Sequence, residues 1–530
     1  MKKTWKKLTA LAVAMMMVLA MSVTAFADDD SPAGGETPAA TNKKTISVAA
    51  GDTHLYEAYQ IFKGEESGGV LSNVKWGANG TGSENDLVPK ATLDAIAAIT
   101  GSDTEKAAAL AAYANLSSPL VPEISADSPA QVDPGYYLIK DKTGVTLEKE
   151  DEYTLYIVEV AQDVTITRKA STTEAHKTLD DVNDSDTENA ADNGQRQTSS
   201  DYDIGDEVPY HMTATISEKV GYYKKYHIDF VDVLEAGKFD AISDLTISGP
   251  VEETENYTVA VTGVDARSKD GFTVTIEWTP KDGKTLESLA GATITIDFTA
   301  TLGENAAIGE AGNRNTFHLE YSNNPNSTDG QDEGQTPEET VITFTYKVVV
   351  DKYDEDGATP LEEAGFTLYK VSKADAEAGV TGADAKAKNE AWAAKAIQTW
   401  TATAEEGKTA GKNNRFSFKG IDDGYYVLCE TATPTGYNTL DPQVFTVTAT
   451  HGGEQNDAIT LDTLTGNKVS GDITLTADKA TGTLSTDVTN KKGAELPETG
   501  GIGTTIFYVL GAILVLGGTV VLVTRRRMAA

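Results

Sequence analysis

Apolar and polar residues alternate in short runs along most of this 530-residue chain. The clearest are YTLYIVEV at 153–160, FTVTIEW at 272–278 and ATITIDF at 292–298. Side chains on a strand point to alternate faces, so a period of two marks a segment with one face buried and one in water. Many such runs, broken by Gly, Asn and Asp clusters, predict a mainly β chain of tandem antiparallel sandwiches. Two alanine-rich segments, 91–115 and 374–399, carry helical spacing and read as short helical insertions on that scaffold. Residues 180–201 are polar and read as a long loop, and the second unit ends in the polar stretch 324–339.

The two ends are of another kind. Residues 1–27 have lysines at 2, 3, 6 and 7, an apolar stretch and then Ala25-Phe26-Ala27, the pattern of a cleaved signal peptide. Residues 28–42 follow as a flexible tail. Near the C-terminus, Leu496-Pro497-Glu498-Thr499-Gly500 precedes an uncharged apolar run at 502–523 and then Arg525-Arg526-Arg527. That run is long enough to cross a bilayer, and the arginines hold its end on the cytoplasmic side. Both ends together predict an exported chain held at a membrane. About 470 residues remain between them, enough for three domains of ordinary size: 43–168, 169–340 and 341–492, with 493–530 as the terminal signal.

Composition narrows the function. Cys429 is the single cysteine, so no intrachain disulfide can brace the exported domains. The formal charge of −37 argues against nucleic acid and anionic membrane surfaces and keeps an exported protein soluble. Histidines 54, 176, 211, 227, 318 and 451 are scattered, with no Cys/His set at metal-ligand spacing. Nucleophile-elbow, P-loop and dinucleotide-binding glycine patterns are missing from the sequence. No catalytic constellation is evident, so the expectation is a protein that is not an enzyme, with no cofactor and no metal.

In the third unit, polar residues fall on apolar faces. Lys352 shares a strand face with Val348 and Val350, Glu430 with Tyr426 and Leu428, and Asn490 with Val488. A lone buried lysine or glutamate is costly, which favours mutual pairing. The segment Glu430-Thr-Ala-Thr433-Pro434-Thr-Gly-Tyr437 resembles the E-box (E-T-x-A-P-x-G-Y) of CnaB-type immunoglobulin-like domains in Gram-positive pilins and adhesins, with Thr433 where alanine is usual. The resemblance implies an isopeptide bond between Lys352 of the first strand and Asn490 of the last, promoted by Glu430. Burial lowers the lysine pKa and raises that of the glutamate. A neutral amine can then attack the carboxamide while a protonated Glu430 polarises it and ammonia leaves.

The second unit resembles the CnaA-like domain of backbone pilins through 226–237, the strand of Asp232. Lys177 shares a face with Ala175 and Leu179, and Asp232 with Ile228, Phe230 and Leu234. On the closing strand Phe317, Leu319, Tyr321 and Asn323 share a face, which favours Asn323 over Asn324. The implied bond is Lys177 to Asn323 with Asp232 as the acid. In the first unit Gly135-Tyr136-Tyr137 mimics the strand before an E-box, but Lys140 and Asp141 stand where the glutamate would, and no crosslink is expected.

Signal, units and terminal motif together resemble a major (backbone) pilin of sortase-assembled Gram-positive pili. That implies sortase cleavage between Thr499 and Gly500 within Leu496–Gly500. The residues around Lys169 resemble the pilin motif, and Lys169 alternates outward from Val164 and Ile166, as an acceptor amine on the next subunit should. Implied partners are pilin-specific and housekeeping sortases, other copies of the chain, minor pilins and peptidoglycan. The alternative is a monomeric wall-anchored adhesin, or a minor tip or base pilin, that binds a host surface ligand.

Overall fold

The computed structural model describes residues 42–493, apart from 100–102, 146, 149–150, 168–172, 187–195, 265–266, 328–329, 331 and 454–457, and then 502–528. The signal peptide, Lys169 and Leu496–Gly500 lie outside the described residues. The chain is mainly β, as the alternation predicts, in three successive sandwich units followed by one long apolar helix.

Among the described residues, the first unit pairs a three-stranded with a five-stranded sheet. Its first strand, Lys44–Val48, runs antiparallel to Ala130–Val132 and parallel to Val164–Ile166, the last strand before the second unit. The second unit stacks a five-stranded sheet on a larger one. The alternation is strict where a face is buried: in Thr293–Leu302 the residues Ile294, Ile296, Phe298, Ala300 and Leu302 are all buried. Strand Glu339–Phe344 spans the expected boundary at 340/341. It pairs with Asn313–Ser322 and Ser199–Asp201 of the second unit, and the chain then runs directly into Tyr346–Asp354, the first strand of the third.

The third unit places Tyr346–Asp354 beside Thr483–Asn490, its last strand, in parallel register. The facing sheet holds Gly365–Val371, Gly424–Ala432 and Gln443–Gly452. Tyr426 and Leu428 point into the core between the sheets. Val427 and Cys429 point the other way, into a second cluster with Ala376 and Trp392.

That second cluster gives the helical insertion its purpose. The segment 374–399 forms two short helices, Lys373–Ala378 and Ala385–Ala393, and ends in strand Gln398–Thr401. The break is local chemistry: Gly379 takes φ 68° after the first helix, and Asp384 caps the second by accepting the Ala387 N–H at 2.9 Å. Residues 91–115 likewise hold two helices, Lys90–Ala97 and Asp103–Ala111. Ile96, Ala107 and Leu110 cover Tyr59, Phe62 and Trp76 on the outer face of the first unit's sheet. Each insertion thus buries a sheet face that would otherwise meet water.

The C-terminal helix Ile502–Met528 ends on the three arginines. Its segment Phe507–Met528 has mean hydropathy 2.3 and is long and apolar enough to cross a membrane.

Candidate functional site

In the third unit, parallel pairing sets Lys352 level with Val488 and Asp354 level with Asn490. Lys352 and Asn490 are therefore diagonal neighbours on one face, and Nζ of Lys352 donates to Oδ1 of Asn490 at 2.6 Å. Glu430 comes from the facing sheet. Its Oε1 and Oε2 accept from Nδ2 of Asn490 at 2.7 and 3.0 Å. All three side chains are buried. Burial lowers the Lys352 pKa to about 8, against the pull of the Glu430 and Asp354 charges. Burial raises that of Glu430. Oε2 of Glu430 also accepts the Leu440 N–H at 2.7 Å and the Thr433 hydroxyl at 3.2 Å. Thr433, the departure from the E-box pattern, thus helps to orient the carboxyl. The amide carbon sits between a weakly basic amine and a poorly ionised acid, the pair that amide exchange requires.

The second unit inverts this layout. Lys177, on strand Glu174–Asp180 of one sheet, crosses the core to Asp232 on the other, with Nζ to Oδ2 at 2.5 Å. The rings of Tyr210, Phe298 and Phe317 surround the amine at 5.3, 5.2 and 5.7 Å. Burial depresses the lysine pKa and raises that of Asp232.

Here the sequence reading requires correction. Asn323 is not near Lys177. It lies at the far end of its strand, where Nδ2 donates to the Asp151 carbonyl of the first unit at 3.2 Å and its own carbonyl accepts the Tyr153 N–H. The asparagine beside the pair is Asn315. Asp232 pairs with Phe317 and Leu234 with Asn315, so Asn315 lies diagonally from Asp232 on the core face. It is fully buried. Its carboxamide lies close enough to act against the rise of the Asp232 pKa, yet neither of its polar atoms makes a well-aligned hydrogen bond among the described residues. Asn315 and Asn323 share a face, and about 27 Å of strand separates them.

The first unit has no equivalent set at the matching strand. Lys140 reaches Glu57 at 2.5 Å, and Asp141 meets Nδ1 of His54 at 2.7 Å.

The polar stretch 180–201 is the second correction. Its described parts bind the third unit. Asn183 donates to Asp423, Ser185 accepts the Tyr425 N–H, and Lys373 pairs with Asp186. Just beyond it, the Asp203 carboxylate accepts the Asp422 N–H at 2.8 Å and, with Asp184 and Asp422, surrounds the buried Lys370. A Cβ at Gly420 would strike Ile204 at 2.5 Å and one at Gly424 would strike Ser185 Oγ at 2.6 Å. Only glycine permits that approach.

Residues 346–463 match the SpaA prealbumin-like fold domain, and residues 488–529 match the LPXTG cell wall anchor motif. The chain therefore carries a cell wall anchor motif behind a prealbumin-like fold domain. It is similar to the trypsin-resistant surface T6 protein of Streptococcus pyogenes serotype M6, 25% identical over 299 residues, which is 46% of this chain and 50% of that protein. The chain thus spans about half the length of the curated relative it matches. Among solved structures, the T6 backbone pilin of the same serotype aligns with TM-score 0.44 and 17% identity, over 85% of this chain and 98% of that one. The major pilin SpaD of Corynebacterium diphtheriae aligns with TM-score 0.41 and 17% identity over the same shares.

Proposed function

We propose that this chain is the backbone subunit of a covalently polymerised, wall-anchored pilus, braced by intramolecular isopeptide bonds. The observation that carries the reading is the buried contact of Lys352, Asn490 and Glu430 ahead of a cell wall anchor. In the third unit, neutral Lys352 attacks Cγ of Asn490, Glu430 gives its proton to Nδ2 and takes one from the lysine nitrogen, and Nδ2 leaves as ammonia. In the second unit, Lys177 attacks Asn315 with Asp232 in the same role. Each reaction occurs once, so the carboxyl groups assist a maturation step and the protein is not an enzyme.

Between subunits, a sortase opens the bond between Thr499 and Gly500 and passes the threonine carbonyl to Lys169 of the next subunit. A housekeeping sortase then attaches the completed polymer to peptidoglycan. The test is expression in a sortase-positive Gram-positive host. The wild type is expected to give a ladder of detergent-resistant polymers, and Lys169→Ala a single band. A ladder that survives Lys169→Ala rules out that acceptor. A wild type that reaches the wall only as monomer returns the reading to a wall-anchored adhesin or minor pilin.

A further inference from the structure

On the outer face of the second unit's larger sheet, away from Lys177, His227 and Asp229 stand two residues apart on strand Tyr226–Leu234. Glu333 joins them from the short strand Glu333–Gln335, which pairs with the end of Asn313–Ser322. One donor atom from each of the three lies within 4.8 Å of the other two.

His227 is 5% exposed, and its contacts with Ser322 favour one tautomer. The Ser322 hydroxyl donates its one hydrogen to the Gly330 carbonyl at 3.0 Å. With that hydrogen engaged, the hydroxyl oxygen 2.8 Å from Nδ1 of His227 is placed to accept, which favours the ring proton on Nδ1. The same oxygen accepts the His227 backbone N–H at 3.0 Å. Nε2 is left with its lone pair outward. It has no hydrogen bond among the described residues, and it faces Oε1 of Glu333 at 3.4 Å. Oδ1 of Asp229 is likewise buried without a hydrogen bond among the described residues. Glu320 is directly opposite Asp229 in register, which places another carboxylate on this face. Glu277, opposite His227, is already paired with Lys225 at 2.9 Å. Nε2 of His227, a carboxylate oxygen of Asp229 and one of Glu333 thus converge on one point, an arrangement that a bound cation would satisfy.

We propose that Nε2 of His227 and the carboxylates of Asp229 and Glu333 bind one divalent transition-metal ion of the zinc class, with solvent in the fourth position. Imidazole with carboxylates is a donor set for such ions. Donors held at about 2.0–2.2 Å around a tetrahedral centre stand about 3.4 Å apart, and the Nε2–Oε1 separation already has that value. Ser322 supplies the outer contact that metal-bound imidazoles use to fix ring and tautomer. The Glu333 side chain, 47% exposed, leaves a way in. The ion would tie Glu333–Gln335 to the sheet. The same excursion holds Asn323 and Asn326, which donate to the Asp151 and Thr154 carbonyls of the first unit. The site therefore braces the junction of the first two units. Sequence spacing hides it, because Glu333 is far along the chain from the His-x-Asp pair.

The test is zinc chloride titrated into the untagged ectodomain, residues 28–499, by calorimetry, with thermal melting alongside. The wild type is expected to bind one zinc ion saturably at micromolar concentration and to melt higher when loaded. Glu333→Gln, at an exposed position that leaves the fold intact, is expected to weaken binding by about tenfold or more and to abolish the melting shift. His227→Gln should do the same, provided its circular dichroism matches the wild type. No saturable binding, or equal affinity in Glu333→Gln, overturns the proposal. So does a wild type indifferent to zinc but stabilised by acid, which would mark a simple imidazolium–carboxylate pair.

Discussion

Nζ of Lys352 lies 2.6 Å from Oδ1 of Asn490, at the end of a parallel pair made by the first and last strands of the third unit. A bond there closes nearly the whole unit into one loop. The ectodomain, residues 28–499, is expected to weigh less than its sequence by one ammonia for this pair. Glu430→Ala is expected to show no such deficit against its own sequence mass and to lower stability by about 5 kcal/mol, the entropic value for a loop of this length. Intact mass spectrometry and thermal melting check both.

The second unit separates two asparagines. Asn315→Ala is expected to fall short of its own sequence mass by one ammonia, not two, because Asn315 is the amide beside Lys177 and Asp232. Asn323→Ala is expected to leave the crosslink formed and to loosen only the contact with Asp151. Tryptic mapping of the two variants distinguishes them. A crosslinked peptide that contains Asn323 would reject the assignment.

The rate of closure in the third unit should depend on pH. With a pKa of about 8, only about a tenth of Lys352 is neutral at pH 7. Crosslinking during cell-free synthesis is expected to quicken from pH 6.5 to 8 and then level off. A flat profile would mean that deprotonation of the amine does not limit the reaction.

The junction of the second and third units should respond in the opposite sense. Burial, aided by the Asp181 charge, raises the Asp201 pKa to about 7. Burial raises Asp203 to about 6, with the Lys370 charge opposing, and Asp423 to about 8, where the Asp201 charge adds to the rise. These folded-state values lie above the unfolded value of about 3.9. Their contribution is therefore complete below about pH 4 and is lost as pH climbs through 6 to 8. Thermal melting should fall by several degrees between pH 6 and 8.5. Asp201→Asn, a neutral stand-in that can still accept from Tyr346, should flatten that fall.

Trp392 anchors the helical insertion of the third unit against Val427 and Cys429. Trp392→Ala is expected to cost about 3–5 kcal/mol and to leave the ammonia loss unchanged, since Lys352, Glu430 and Asn490 lie on the other side of that sheet. Chemical denaturation with mass analysis tests the two effects separately.

How much of this was legible depends on what alternation can carry. It assigns faces, and it placed Lys352, Glu430, Asn490, Lys177 and Asp232 toward cores where the structure has them. It cannot assign height along a strand. Residues 315, 317, 319, 321 and 323 all share one face, and only the pairing of Asp232 with Phe317 singles out Asn315. The polar stretch 180–201 read only as a loop, because its partners Asp423 and Tyr425 lie 240 positions away. The helical insertions were visible in their alanines, but the sheet faces they cover were not.

The parallel placement of Tyr346–Asp354 beside Thr483–Asn490 has a mechanical consequence. The chain enters one strand and leaves the other at opposite ends, so tension shears the pair instead of peeling it. Once Lys352 is joined to Asn490, force entering at Tyr346 crosses to the C-terminal end after a single short stretch of strand. The residues between them carry no tension and cannot be drawn out as slack. A fibre linked from Lys169 to Thr499 would leave the first unit off the line of pull, so that its sheets would not be asked to resist stretching.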